Sequence, residues 1–396
     1  MKKKSILAIV ALVLAFAGTQ SSGYNVAEFP ICTNDANQIN PAINGSIIVW
    51  QDYRNGNWDI YGYDLSTQTE FPICVNSADQ ISPDISGNLV VWEDYRYDSA
   101  YQDFHCSIYG YELSTRTEFL IYHTTNSRQR YPAIDGNFVV WVENYPLILY
   151  RINGYSLSGH TKFIIYDNSS YEPLYYPVAV SGSIVVWMSM IGGGNYDQVR
   201  SYDFYNHTFL PTSGTIYGLY PKISGSIVVY GQCDSTPCVE YLYKICYTDF
   251  SKQCLGPFGV PGPCSHCLTY SDPNQCLPNM VCRYMEGSNP DISGNIIVWG
   301  NQYRGAYVNA IYGYDISTRT WFSISEISKW PWPTNPVIDG NIVIWQDRRN
   351  GNWDIYGARL EPFCLEKPEM DFNGDCKVDF ADFAIMALHW LEHNNF

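Results

Sequence analysis

Seven times along the chain a glycine is followed five residues later by a large aromatic: Gly45/Trp50, Gly87/Trp92, Gly136/Trp141, Gly182/Trp187, Gly225/Tyr230, Gly294/Trp299 and Gly340/Trp345. The surrounding phrase runs proline, any residue, isoleucine, Asn/Ser/Asp, glycine and then an apolar run into the aromatic, as in Pro41 to Trp50, Pro83 to Trp92 and Pro336 to Trp345. A supersecondary unit that recurs with a period in the forties cannot bury its apolar face alone. Such units must stack on one another.

Within the first unit, Ile39 to Ile43 is an extended segment and Asn44-Gly45 is expected to supply two positive-φ residues for a tight hairpin. Ser46 to Gln51 follows as a buried apolar strand, and Asp52 to Trp58, rich in Asn, Gly and Asp, as a loop. Asp59 to Leu65 alternates polar with apolar, and Glu70 to Cys74 contains Pro72, which suits an edge strand because proline cannot donate to a ladder. The third-strand phrase returns at Ile108-Tyr109-Gly110-Tyr111, Ile311-Tyr312-Gly313-Tyr314 and Ile355-Tyr356-Gly357. Four strands per unit and seven units predict an all-β, seven-bladed β-propeller of four-stranded blades over residues 24–360. At the ends, Ala27 to Cys32 matches a fourth strand without its first three, while the last unit stops at Leu360 after its third. The fragments complement one another, so Ala27 to Cys32 is expected beside Asp354 to Arg359, closing the ring and hiding an edge.

Lys2-Lys3-Lys4, the apolar run Ile6 to Phe16 and the small residues Ala15 and Ala17 have the order of a secretory signal peptide over residues 1–17. No stable membrane insertion is expected once it is cleaved, and the destination is extracellular, the cell surface or the periplasm. Its removal takes three lysines and no acid, which moves the formal charge from −16 to −19. Nucleic acid and anionic membrane surfaces are therefore poor partners.

Thirteen cysteines in an exported chain point to disulfides. Eight of them, Cys233, Cys238, Cys246, Cys254, Cys264, Cys267, Cys276 and Cys282, fall in an insertion at about residues 231–287 of the fifth unit. There the spacing to the next repeat proline is 69 residues where the others show 42 to 49. The Gly-, Pro- and Ser-rich stretch from Cys254 to Cys282 has little apolar core of its own, which makes bridges the expected constraint. Cys264-Ser265-His266-Cys267 also has the form of a zinc-knuckle opening. Cys32 and Cys74 hold equivalent positions in different blades and are not expected to meet, and Cys106 has no evident partner.

Residues 361–396 form a separate tail. Asp371, Asn373, Asp375, Lys377 (through its carbonyl), Asp379 (through water) and Asp382 have the spacing of a twelve-residue loop around calcium. A helix with an apolar face, including Phe383, Ile385, Met386, Leu388, Trp390 and Leu391, is expected to follow. Residues 370–392 resemble a dockerin repeat, the calcium-binding module by which secreted proteins attach to cohesin scaffolds, and the resemblance implies a cohesin-like partner. It departs from the dockerin pattern in carrying one segment where two are usual, and in Cys376 at the loop position usually held by glycine. A bridge from Cys376 to Cys364 is the alternative role for that residue.

The blade phrases resemble the propeller of the periplasmic TolB protein and its exported relatives, across residues 24–360. That resemblance implies the fold and leaves the activity open, since relatives serve as interaction platforms, as the non-catalytic part of peptidases and, in one case, as a metal-dependent pectic-oligosaccharide lyase. His105, His123, His160, His207, His266, His389 and His393 are scattered over turns, insertion and tail, and there is no Gly-x-Ser-x-Gly elbow. Asp52/Arg54, Asp94/Arg96 and Asp347/Arg349 recur with the blade and are expected to be structural loop pairs. Trp58, Trp330, Trp332 and Trp353 have the chemistry to stack on sugars, but blade packing is the expected role, above all for the repeat-equivalent Trp58 and Trp353. The expectation is thus a secreted, non-catalytic propeller that binds or displays a protein or polysaccharide ligand at one face. A polysaccharide-active lyase or hydrolase working at a propeller face is the alternative.

Overall fold

Seven antiparallel blades stand around one axis. The computed structural model describes residues 22–96, 106–145, 150–168, 177–191, 196–210, 218–232, 243–255, 261–267, 286–301, 309–327, 334–364, 370, 372 and 382–386. Blade 1 is built from Gln38–Asn44, Ile47–Asp52, Asp59–Asp64 and Thr69–Cys74, running from the axis outward. Blade 2 repeats it with Gln80–Ser86, Leu89–Asp94, Ser107–Glu112 and Thr117–Tyr122, and blades 3 and 4 have the same four-strand order. Blades 5 and 6 share one continuous sheet, because Tyr243 and Lys244 pair with Gly287 and Glu286.

The ring closes as the end fragments imply. Ser22–Cys32 lies antiparallel to Asp354–Cys364 as the outer strand of blade 7, with Ala27 opposite Arg359 and Cys32 opposite Ile355. The pairing extends past the repeat, as far as Ser22 opposite Cys364. Ile31 and Cys32 are buried with Ile48 and Trp50 of blade 1 and Ile344 of blade 7, so the closing strand helps fuse first blade to last.

The repeated aromatic is the centre of each interblade core: Trp50, Trp92, Trp141, Trp187, Tyr230, Trp299 and Trp345 are at most 2% exposed. A buried indole needs an acceptor for its N–H. Trp50 and Trp92 donate to Asp52 and Asp94, two residues on, at 2.9 Å, while Trp141 donates to Gln129 at 2.6 Å. The third-strand glycine has its own cause. A Cβ on Gly110 would stand 2.7 Å from the ring of Phe119 on the outer strand, and the same clash recurs at Gly62 with Phe71. The glycine of the Tyr-Gly-Tyr phrase is therefore the floor on which the outer-strand phenylalanine lies.

The inner hairpin differs from the sequence expectation. Asn44 pairs with Ile47, so the two turn residues are Gly45 and Ser46, and only Gly45 has a positive φ, of 59°. Glycine at the first central position is the demand of a II′-type turn, whereas the expected Asn-Gly turn needs both residues left-handed. The asparagine is left free for a different task, described below. Six inner strands also bulge immediately before their proline, where Asn40, Ser82, Tyr131, Tyr220, Asn289 and Asn335 have φ between 49° and 54°. The N–H groups freed by three of these bulges are capped across the blade boundary: Asn40 by Gln346 at 2.8 Å, Ser82 by Gln51 at 2.8 Å and Tyr131 by Glu93 at 2.7 Å.

Candidate functional site

At the turn end of the axis each hairpin glycine donates its N–H to the polar residue before the glycine of the preceding blade. Gly45 donates to Asp339 at 2.6 Å, Gly87 to Asn44 at 2.7 Å, Gly136 to Ser86 at 2.9 Å and Gly182 to Asp135 at 2.6 Å. Gly225 donates to Ser181 at 3.0 Å, Gly294 to Ser224 at 3.1 Å and Gly340 to Ser293 at 3.0 Å, which completes the circle. The Asn/Ser/Asp choice in the repeat phrase is thus a cross-blade acceptor. The ring surrounds a cavity of about 170 Å³ lined by these polar residues and the isoleucines or valine before them.

The residue three before the glycine is Ala42, Ala133, Ala179 or Val337 in four blades, but Asp84, Lys222 and Asp291 in blades 2, 5 and 6. Asp84 accepts from the Ile134 N–H at 2.8 Å and from its own neighbour Ile85 at 2.9 Å; Asp291 accepts from Ile338 at 2.9 Å. Enclosure pushes the Asp84 carboxyl up to about 6, against the pull of Lys222 and the backbone N–H groups of Ile134 and Ile85, and Asp291 is raised for the same reason. Lys222 pulls on both carboxyls, and Asp291 adds a small upward push on Asp84.

A carboxyl whose folded value lies above its ordinary 3.8 keeps its proton in the native state where the unfolded chain has lost it. Stability should therefore rise as pH falls from about 7 towards 4, by on the order of 1–3 kcal/mol from Asp84. Urea midpoints of wild type and Asp84→Asn at pH 7 and 4.5 should show that slope reduced in the variant. An equal slope in both proteins would contradict the assignment.

The recurrent Asp/Arg pairs are structural, as expected. Asp52–Arg54, Asp94–Arg96 and Asp347–Arg349 bridge at 2.6, 2.7 and 2.6 Å, and each arginine also reaches an outer-strand glutamate, Glu70, Glu118 or Glu28. The same guanidinium groups lie 4.0–4.1 Å from the ring centres of Tyr61, Tyr109 and Tyr356. Every carboxylate in these brackets has a fixed structural partner.

At the opposite end of the strands the chain is not uniform. The connections from second to third strand and from blade to blade open there, and most of the residues outside the described set fall in them. Two connections are almost identical in sequence: Asp52 to Asp59 in blade 1 and Asp347 to Asp354 in blade 7 differ only at Tyr53 and Arg348. Trp58 and Trp353 are half-buried and belong to none of the blade cores. Their neighbours are loop residues: Tyr53 meets Trp58 edge-on at 5.0 Å, and the Arg348 guanidinium lies 5.3 Å from the Trp353 ring centre. The expectation that these two indoles pack within blades is therefore corrected. Each loop is pinned to the adjacent blade-to-blade connection and leaves its indole half-buried outside the cores.

Cys32, Cys74 and Cys106 are free and buried, as expected, and burial pushes the Cys32 and Cys106 thiols up to about 12. Cys246 is buried and disulfide-bonded. Cys233, Cys238, Cys276, Cys282 and Cys376 lie outside the described residues, as do the side chains of Cys254, Cys264, Cys267 and Cys364. His160 and His207 occupy positive-φ positions of the outermost turns, and His123 bonds Ser107 at 2.7 Å; none of the three approaches the axis. His105, His389, His393, Trp330 and Trp332 lie outside the described residues, as does the side chain of His266. Of the calcium-loop residues, Asp371, Asn373, Asp375, Lys377 and Asp379 lie outside the described set as well, and so do residues 1–17. Asp382 is described: it is 2% exposed, opens a short helix over residues 382–386 and accepts the Phe372 N–H at 2.7 Å. Among the described residues no three His, Cys, Asp or Glu side chains converge as a metal site requires, and no helix is long and apolar enough to cross a membrane.

No protein-family profile matches the sequence, and no curated protein matches it. Solved structures share the fold. An oligogalacturonate lyase from Vibrio parahaemolyticus superposes with a TM-score of 0.58 at 13% identity, over 86% of this chain and 98% of that one. An oligogalacturonate lyase in complex with manganese gives 0.57 at 13%, over 86% and 96%. The β-propeller domain of the trilobed protease from Pyrococcus furiosus, which has an open velcro topology, gives 0.55 at 11%, over 84% and 96%. The present chain differs from that last domain in closing its ring through Ser22–Cys32.

Proposed function

We propose that this propeller is a non-catalytic binding module of an exported protein, which takes a protein or glycan ligand on the face that carries the interstrand loops. The observation that carries this reading is the contrast between the two ends of the axis. At the turn end, seven equivalent hydrogen bonds encircle the mouth, and the polar residues that line it are already acceptors for the next blade. At the loop end the blades diverge in length and sequence, which is where a rigid scaffold places recognition. The fold likeness to lyases and peptidases leaves activity open, because one propeller fold serves many chemistries.

The alternative, a polysaccharide-active enzyme, is favoured by one observation, the charged residues Asp84, Lys222 and Asp291 at an inner-strand position that holds alanine or valine in the other blades. Both carboxylates are held by backbone N–H groups, an arrangement that fits the stapling of inner strands better than proton transfer. Incubating the purified protein with glycan and pectin arrays, with and without divalent metal, separates the readings. Retention without product supports binding; unsaturated or hydrolysed product establishes an enzyme.

The tail adds a calcium-dependent element, with a cohesin-like scaffold as its partner. Support comes from the Phe372 N–H donating to Asp382, a contact between the second and twelfth positions of the loop that brings its two ends together. Calcium titrated into the full chain should release binding heat that Asp371→Ala abolishes, while the propeller's unfolding transition stays in place. Wild-type protein that gives no heat would refute the calcium loop.

A further inference from the structure

The two near-identical loops of blades 7 and 1 do more than join strands. Asp52 to Asp59 and Asp347 to Asp354 agree at seven of eight positions, whereas blade 2 shares with blade 1 only the opening Asp94-Tyr95-Arg96 of this connection. The loops are also built alike. Gly56 and Gly351 both have positive φ, of 92° and 111°. Asn57 donates to the carbonyls of Asn76 and Ala78 at 2.7 and 2.9 Å, and Asn352 to those of Asn34 and Ala36 at 2.7 and 2.6 Å. The following tryptophan is then fixed at its backbone, Trp58 N–H to Asp79 at 2.9 Å and Trp353 N–H to Asn37 at 3.0 Å. The backbones of the two tryptophans are thereby held alike, one blade step apart, on the loop face.

Neither indole is consumed by the fold. Among the described residues, the Nε1–H groups of the core tryptophans are enclosed, with an acceptor in Trp50, Trp92 and Trp141 and without one in Trp187 and Trp299, whereas the N–H groups of Trp58 and Trp353 are not enclosed and no acceptor takes them. The single difference between the loops is informative too. Arg54, Arg96 and Arg349 each bind two carboxylates, but among the described residues Arg348 pairs with none. Its guanidinium donates to the Gly351 carbonyl at 3.3 Å and rests against Trp353. An unneutralised arginine in a chain of net charge −16 marks a place for an anionic group supplied from outside.

We propose that Trp58 and Trp353 form two adjacent subsites for a glycan chain, with Tyr53 beside the first and Arg348 receiving a carboxylate or sulfate of the sugar at the second. A polymer whose sugars repeat is the ligand that two equivalent aromatic platforms, offset by one blade, are suited to hold. Each indole offers its face to the C–H side of a ring and its N–H to a hydroxyl. This proposal rests on the loop-face binding reading above and specifies where on that face the ligand lies.

The test measures binding of the full chain to alginate oligomers, dextran sulfate and neutral cello-oligosaccharides by calorimetry. The charged chains should bind, with alginate and dextran sulfate separating carboxylate from sulfate as the preferred group. Trp58→Ala and Trp353→Ala should each weaken binding about tenfold or more. Arg348→Gln should erase the preference for charged over neutral chains; it removes no aromatic and serves where an alanine variant melts early. If the wild type binds a chain that both tryptophan variants bind equally well, the subsites are wrong while the propeller remains a binding module. Tryptophan-dependent binding without charge preference would overturn the role of Arg348. If the wild type binds none of these chains, the glycan proposal falls, and loop-face binding then rests on a protein ligand.

Discussion

Deleting residues 22–33 should lower the melting temperature by roughly 10 °C or more, because it strips blade 7 of its outer strand and opens two interblade cores at once. Ile31 and Cys32 leave the cluster that joins blades 7 and 1, and Tyr24 and Val26 leave the one that joins blades 6 and 7. The polar losses fall on the same seams. Tyr24 donates to Asp315 of blade 6 at 2.8 Å, Glu28 bridges Arg349 at 2.9 Å, and Arg54 of blade 1 reaches the Cys32 sulfur at 3.3 Å. The exposed edge of Asp354–Cys364 would also promote association. Calorimetric scans of the two proteins check this, and an unchanged curve would show that the ring does not depend on its closing strand.

Asp94→Ala should cost about 3–5 kcal/mol, since it removes the shared acceptor of a buried bracket and leaves its donors unpaired. Asp94 is 0% exposed and accepts from the Trp92 indole at 2.9 Å and from Arg96 at its backbone N–H and side chain, at 2.7–2.9 Å. Arg96 would keep Glu118, at 2.5 Å, the Cys74 sulfur, at 3.4 Å, and its position over Tyr109. Asp94→Asn should recover part of the loss, because the amide oxygen still accepts from the indole. Urea denaturation of both variants measures the difference; a loss below about 1 kcal/mol for the alanine would reduce the bracket to an ordinary surface ion pair.

Blade number, strand order and closure were legible in the sequence because each rests on a local pattern repeated seven times. The Trp interval, the third-strand glycine and the orphan strand Ala27 to Cys32 are properties of single segments. What escaped the sequence lies between segments. The residue before each hairpin glycine resembles a turn former, and nothing local says that Asn44 will accept from Gly87 in the next blade. Asp84 and Asp291 are 207 residues apart and stand on inner strands of one ring only because the fold brings their blades around one axis. A signal for them was present, as charges at a repeat position that elsewhere holds alanine or valine. Trp58 and Trp353 were misjudged for the opposite reason: equivalence in a repeat suggests packing, whereas these indoles sit on loops whose polar interior leaves them outside the cores.

The most direct test of the account is backbone hydrogen exchange on the protein with and without whichever chain it retains. Added protection should be confined to the loop face, strongest at residues 52–58 and 347–353, with the hairpins at 44–47 and 339–342 unchanged. Protection centred on the turn-end ring of Asn44, Asp135 and Asp339, with the two tryptophan loops unaffected, would contradict it.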